Sequence, residues 1–144
     1  MKHCGKRFFC GVLTLCLLSS LLCTFAAARS SAYLNSYSAT IIPKSGGLIP
    51  VTVDVTGRGA MDEIGASTIY IYESTDGKSF TKVATYKSEN FPAMIGSGTT
   101  YYKTPVTYLG KPGYYYYASV YCYAAKDGGS DTKNYTTDVE KAIP

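Results

Sequence analysis

The sequence predicts an all-β protein, a seven-stranded antiparallel β-sandwich that follows a cleaved signal peptide. Three observations predict it. Apolar residues alternate with polar ones through most of the chain instead of recurring at three and four. β-Branched and aromatic residues dominate the alternating stretches, and Gly and Pro interrupt them at short intervals. The first 28 residues have the three-part order of an export signal.

That signal begins with Lys2, Lys6 and Arg7 and continues through an uncharged, mostly apolar run over residues 8–25. Ala26-Ala27-Ala28 then offers a small-x-small cleavage site before Arg29, which places the cut after Ala28. Ser30-Ser31-Ala32 is a second such site and would move the cut to before Tyr33. An uncleaved anchor is the rival, because the apolar run approaches spanning length, but the Ala run favours cleavage. The expected protein is secreted, with no hold on a membrane once the signal is gone. Residues 29–144 are long enough for one domain.

The signal accounts for much of the composition. Three of the 14 basic residues and none of the 10 acidic ones lie in it, which leaves 11 against 10. A nearly neutral domain with scattered Lys and Arg is not a nucleic-acid binder, which would need clustered basic residues on phosphate. His3 and four of the five Cys also fall in the signal, so Cys122 alone remains and no internal disulfide is expected. All 15 Tyr remain.

Taken in order, residues 33–42 read as a first strand, closed by Pro43-Lys44-Ser45-Gly46-Gly47. Residues 48–56 are the clearest strand, with Ile49, Val51, Val53 and Val55 on one face and Thr52, Asp54 and Thr56 on the other. Gly57-Arg58-Gly59 is expected to end it. Residues 66–73 follow, with Ile69 and Ile71 opposite Tyr70 and Tyr72. Asp76-Gly77 supplies a hairpin turn, and the chain returns from Phe80 to Tyr86. Residues 87–98 are a connection with a short turn expected near Met94. Residues 100–109, 114–125 and 132–142 complete seven strands. Seven short alternating strands predict an immunoglobulin-like sandwich.

The corner Pro112-Gly113-Tyr114-Tyr115-Tyr116, followed by Ala118, Val120 and Cys122, resembles the corner before the sixth strand of fibronectin type III domains. That resemblance implies Tyr116 as the corner tyrosine and a core-facing Ala118, Val120 and Cys122. The chain departs from the pattern in two places: Leu109 lies one residue too far from the Pro, and the usual buried Trp is missing. The run from Met61-Asp62-Glu63-Ile64-Gly65-Ala66-Ser67 to Ile69-Tyr70-Ile71-Tyr72-Glu73 is similar to a family of short exported proteins of clostridia-like Gram-positive bacteria. That family is a domain of unknown function, and the resemblance implies bacterial origin and secretion.

Catalytic chemistry has little to stand on. With no His after residue 28 there is no Ser–His or Cys–His pair and no His-containing metal site. No catalytic residue, metal or cofactor is expected. Cys122 reads as a core residue. Asp62 and Glu63 are the residues a carboxylate-based hydrolase would use, but neighbours in an extended chain point apart. Asp127 and Asp131 flank a loop of the kind that can hold a hard cation, but too few charged ligands are present and a hairpin turn explains the same residues better. The segment from Ser74 to Phe80 resembles the Asp-box hairpin, one residue short, and Asn134-Tyr135-Thr136 is a glycosylation sequon.

The tyrosines carry the functional expectation. If the third strand pairs with the sixth, Tyr70 and Tyr72 lie beside Tyr117, Tyr121 and Tyr123 on the face away from the core, with Tyr115 and Tyr135 extending the patch. Exposed aromatic rings with hydroxyl tips suit a glycan or an extracellular protein. The alternatives are a structural cell-surface or matrix protein that self-associates through edge strands, and tyrosines that serve only to stabilise a solvated sheet.

Overall fold

Alternation of apolar residues builds two sheets whose inner faces share one core. The computed structural model describes residues 31–144, so the export-signal reading of residues 1–28 lies outside the described residues. Nine strands follow in order: β1 (Leu34–Ile41), β2 (Leu48–Met61), β3 (Glu63–Ser74), β4 (Thr81–Lys87), β5 (Ile95–Gly96), β6 (Thr99–Leu109), β7 (Tyr115–Lys126), β8 (Gly129–Thr136) and β9 (Glu140–Lys141). The only helical pieces among the described residues are single 3-10 turns at Ser45–Gly47 and Pro92–Met94. The turn at Met94 is where the sequence places one.

All pairings between strands are antiparallel. One sheet runs β1-β2-β6 and the other β4-β3-β7-β8, with β5 added to β3 and β9 to β7. The core between them is formed by Ile49, Val51, Val53 and Val55 of β2, Ile69 and Ile71 of β3, and Tyr116, Ala118, Val120, Cys122 and Ala124 of β7, all buried. These are the faces that alternation assigns to the interior. Each fully buried Val or Ile contributes about 1.5–3 kcal/mol relative to exposure.

Among the described residues the strand count is nine, not seven, and the two additions have local causes. The expected last strand breaks at Thr137. The Thr137 N–H donates to the Ala118 carbonyl, and its Oγ1 accepts from the Ala118 N–H at 2.9 Å. A side chain thus occupies a ladder position, and pairing with β7 resumes as β9, where Glu140 faces Tyr116. β5 forms because Ile95 and Gly96 lie against Gly65 and Ile64. β2 also runs past Gly57-Arg58-Gly59 to Met61, since a bulge between Thr56 and Met61 absorbs the extra residues.

The turn before β7 is pinned from beneath. Tyr116 is fully buried, and its hydroxyl accepts from the Lys111 N–H at 2.8 Å and donates to Glu73 Oε2 at 2.6 Å. Lys111 Nζ reaches Glu73 Oε1 at 3.0 Å. Gly110 is required here because a Cβ would lie 2.7 Å from Tyr116 Cζ. Tyr108, not Leu109, faces inward, with its ring 5.9 Å from that of Tyr116, and Leu109 is exposed. The residue that lies one place out in the fibronectin-like pattern therefore points to solvent.

The N-terminal segment is fastened to β8. The Asp131 carboxylate accepts from Ser31 Oγ and from the Tyr33 N–H, and Ser31 Oγ also accepts from the Leu34 N–H. These bonds hold the Asp131 carboxyl below its usual range, the Ser31 hydrogen bond contributing most.

Candidate functional site: the tyrosine face

Strand parity builds this face. β3 pairs β7 with Tyr72 opposite Tyr117, Tyr70 opposite Ser119, Thr68 opposite Tyr121 and Gly65 opposite Tyr123. On β7 the even-numbered residues 116–124 fill the core, so Tyr115, Tyr117, Ser119, Tyr121 and Tyr123 turn outward. On β3 a bulge between Ala66 and Thr68 shifts the inward set from Ile64 and Ala66 to Ile69 and Ile71. That shift turns Tyr70 and Tyr72 outward beside the β7 tyrosines. The structure thus brings Tyr70, Tyr72, Tyr117, Tyr121 and Tyr123 onto one outer face, and Tyr115 extends it.

Tyr135 does not extend it. It stands opposite Val120, whose side chain is in the core, and its ring meets Tyr37 of β1 edge-on at 6.4 Å. It closes the sandwich on the β1–β8 side.

The rings engage one another. Tyr72 and Tyr117 stack at 4.7 Å with 7° between their planes, and Phe80 meets Tyr117 at 4.8 Å. Tyr70 and Tyr121 form an edge-to-face pair at 5.9 Å, and Lys82 Nζ lies 4.7 Å from the Tyr70 ring centre. Pairs of this geometry contribute about 0.5–1.5 kcal/mol beyond burial. Tyr121 is 37 % exposed and the other four are half-buried. The rings expected on the outer face are thus there, and partly covered. Cross-strand contact covers part of the rings of Tyr70, Tyr72, Tyr117 and Tyr121.

Polar residues flank the rings. β4 contributes Lys82, Thr85 and Lys87 beside Tyr72, Tyr70 and Thr68. β8 contributes Thr132, Asn134 and Thr136 beside Tyr123, Tyr121 and Ser119. Asn134 Nδ2 donates to Ser119 Oγ at 2.8 Å. Phe80 is delivered by the turn after β3. There Asp76 Oδ1 accepts from Ser74 Oγ and from the N–H groups of Lys78 and Ser79. Those bonds, the Ser79 N–H first, hold the Asp76 carboxyl at about 2.

Beyond Tyr123 the face ends in two shallow clefts of about 420 and 440 Å³. Glu63, Glu89, Ser67 and Tyr123 line the first. Burial first, and then the charge of Glu63, raise the Tyr123 hydroxyl pKa above its ordinary value. Burial, then Tyr72, do the same for Tyr117. Both hydroxyls are therefore protonated donors at neutral pH.

The other sequence candidates fall elsewhere. Asp62 Oδ2 accepts from the Asp127 N–H at 2.9 Å and so supports the β7–β8 turn. Asp127 occupies that turn with a φ of 51°. Asp131 is held by the N-terminal segment. Cys122 is buried, and burial pushes its thiol up to about 12. Sequence reasoning missed Phe80, Lys82 and Glu89 at the face. It also missed Glu73, although parity was available to find it, since Glu73 continues the inward series of Ile69 and Ile71.

No protein-family model matches the chain, and no curated protein matches it. Neither comparison bears on the expected clostridia-like bacterial relatives.

Proposed function

We propose that the chain is a secreted, non-enzymatic binding module that contacts a protein surface through the tyrosine face. The observation that carries this reading is the contiguity of Tyr70, Tyr72, Tyr117, Tyr121 and Tyr123, bordered by Ser119, Asn134 and three threonines. Tyr offers large contact area at small entropic cost, and Ser and Asn supply adaptable hydrogen bonds, the combination that protein-binding paratopes use. Sugar stacking needs an open ring face, and here neighbouring rings take that position. Protein contact is favoured over glycan for that reason.

The fibronectin type III-like class is part of the proposal. Sheet order β1-β2-β6 against β4-β3-β7-β8 supports it, as does the Tyr116 hydroxyl bound to the backbone of the preceding corner. Assembly through sheet edges, which a purely structural role would use, is opposed at three of the four outer strands. β6 carries Pro105, β4 carries Lys82, Lys87 and a bulge, and β8 places Asp131 and Lys133 on its inward side.

The test is Tyr72→Ser with Tyr121→Ser, checked for folding by circular dichroism and screened against defined arrays of extracellular proteins and glycans. A protein ligand of the wild type bound at least about tenfold more weakly by the double variant supports the proposal. Loss of a glycan instead reassigns the ligand class. If no ligand separates the two proteins, the tyrosines are structural and the proposal falls.

A further inference from the structure

The most exposed aliphatic side chains among the described residues gather at one corner of the β1-β2-β6 sheet. Ile42 is 67 % exposed and Leu109 69 %, and Leu48 and Ile143 are exposed beside them. Strand register groups them. Lys44 pairs with Leu48, and Leu48 pairs with Leu109, so the three form one row across the sheet. Ile49 is buried, which turns that row to the outer face. Ile42 follows the buried Ile41 and turns outward by the same parity. The Gly47 N–H donates to the Ile143 carbonyl and the Gly110 N–H donates to the Gly47 carbonyl, which brings residues 109 and 143 against one turn. A Cβ at Gly46 or Gly113 would meet nothing, so the two turn tips beside the patch stand clear of the body.

The charges that border the patch are basic. Lys44 lies in its row, Lys111 follows Leu109 by two residues, and both are exposed. The acids close by are engaged elsewhere. Glu73 is bound to Tyr116 and Lys111, and Asp54, farther along the outer face, is bound to Lys103 and Tyr101. Asp138 and Glu140 belong to the segment that runs from β8 into β9, on the other sheet.

From this pattern we infer that the corner docks the protein onto an anionic lipid surface. Ile42, Leu48 and Leu109 enter the acyl boundary, and Lys44 and Lys111 sit at the level of the phosphates. Contiguous apolar exposure marks a protein or membrane contact. Protein interfaces favour aromatic residues and Arg over Lys, and their energetic centres seldom use Leu. This corner offers aliphatic side chains and Lys, a pairing in which buried apolar area and attraction to anionic headgroups add. The inference departs from the expectation that the exported chain has no hold on a membrane. It does not rest on the tyrosine face, which lies on the outer side of the other sheet and stays free in this arrangement.

The test is flotation of the full chain, as recovered from a secreting host, with two kinds of vesicle. One is phosphatidylcholine alone, and the other is phosphatidylcholine and phosphatidylglycerol in equal parts. The wild type should float with the anionic vesicles and detach as salt rises. Ile42→Ser with Leu109→Ser should weaken that binding at least about tenfold. All variants carry the same amino terminus as the wild type, so the difference reads the corner alone. Lys44→Glu should weaken binding to the anionic vesicles about fivefold and leave any binding to phosphatidylcholine unchanged. The three side chains are exposed, so the variants should fold, and a thermal melt checks this. A wild type that stays lipid-free at about 1 mM lipid overturns the inference, as does binding that the double serine variant keeps. Self-association without lipid that the same variant abolishes also overturns it, by assigning the corner to a second copy.

Discussion

Replacing Tyr116 with Phe removes one oxygen and leaves the ring packing in place, so its cost can be worked from two bonds. The first is the Lys111 N–H to the hydroxyl at 2.8 Å, and the second is the hydroxyl to Glu73 at 2.6 Å. A net hydrogen bond contributes about 0.5–1.5 kcal/mol when neutral and about 1.5–3 when one partner is charged, giving roughly 2–4 kcal/mol for the pair. Glu73 is only 13 % exposed on its side chain, so water cannot fully replace the lost donor. At roughly 4 °C per kcal/mol for a domain of this size, the melting temperature should fall by about 8–16 °C. Urea denaturation should give the same loss with an unchanged slope, since the surface exposed on unfolding is unaltered. The loss also has a pH signature. Burial tends to raise the Glu73 pKa, but hydrogen bonds from Tyr116 and Lys111 and the lysine charge outweigh it and hold the group below its ordinary 4.5. A depressed carboxyl stabilises the fold above its unfolded pKa, and that contribution is lost as pH falls through the lower folded value. The gap between wild type and variant should therefore be full at pH 7 and narrow below about pH 4. A loss under about 0.5 kcal/mol, or a gap that does not change with pH, would refute the assignment of the corner to Tyr116 and Glu73.

Two further outcomes follow from the same chemistry. Asp76→Ala should loosen the turn that carries Phe80 and reduce its contact with Tyr117, read as a change in near-ultraviolet dichroism. Because the Asp76 carboxyl is held at about 2, the wild-type turn should begin to lose this signal only as pH falls below the ordinary 3.8 towards that value. Cys122, buried and with its thiol pushed up to about 12, should be inert to a thiol reagent in the native protein and react at once in denaturant. Native reactivity at a rate independent of unfolding would place it outside the core.

The strands with one clean apolar face were legible in the sequence. β2 carries Ile49, Val51, Val53 and Val55 in strict alternation, and β7 carries Ala118, Val120, Cys122 and Ala124, so burial on one side was fixed by period alone. The same parity placed the five tyrosines correctly. Tyr135 was misread because β8 alternates between two polar sets, Asp131 and Lys133 on one side, Thr132 and Asn134 on the other. Neither set announces a buried face. The break at Thr137 depends on a hydroxyl meeting the backbone of residue 118, which no local pattern encodes. Ring stacking likewise depends on cross-strand register, so the sequence could place the tyrosines on one face but not say that Tyr72 and Tyr117 would cover each other.

The hydrogen bond between Ser31 and Asp131 joins residues 100 positions apart. The segment ahead of the first strand thus finds its partner only after a further 100 residues have been made. A long loop must close before the bond forms, which makes this clamp a late event in folding. A cut after Ala28, the site expected from the sequence, would leave Ser31 to complete it. Cutting before Tyr33 would remove Ser31 and set a new ammonium group at Tyr33 N, 2.9 Å from the same carboxylate.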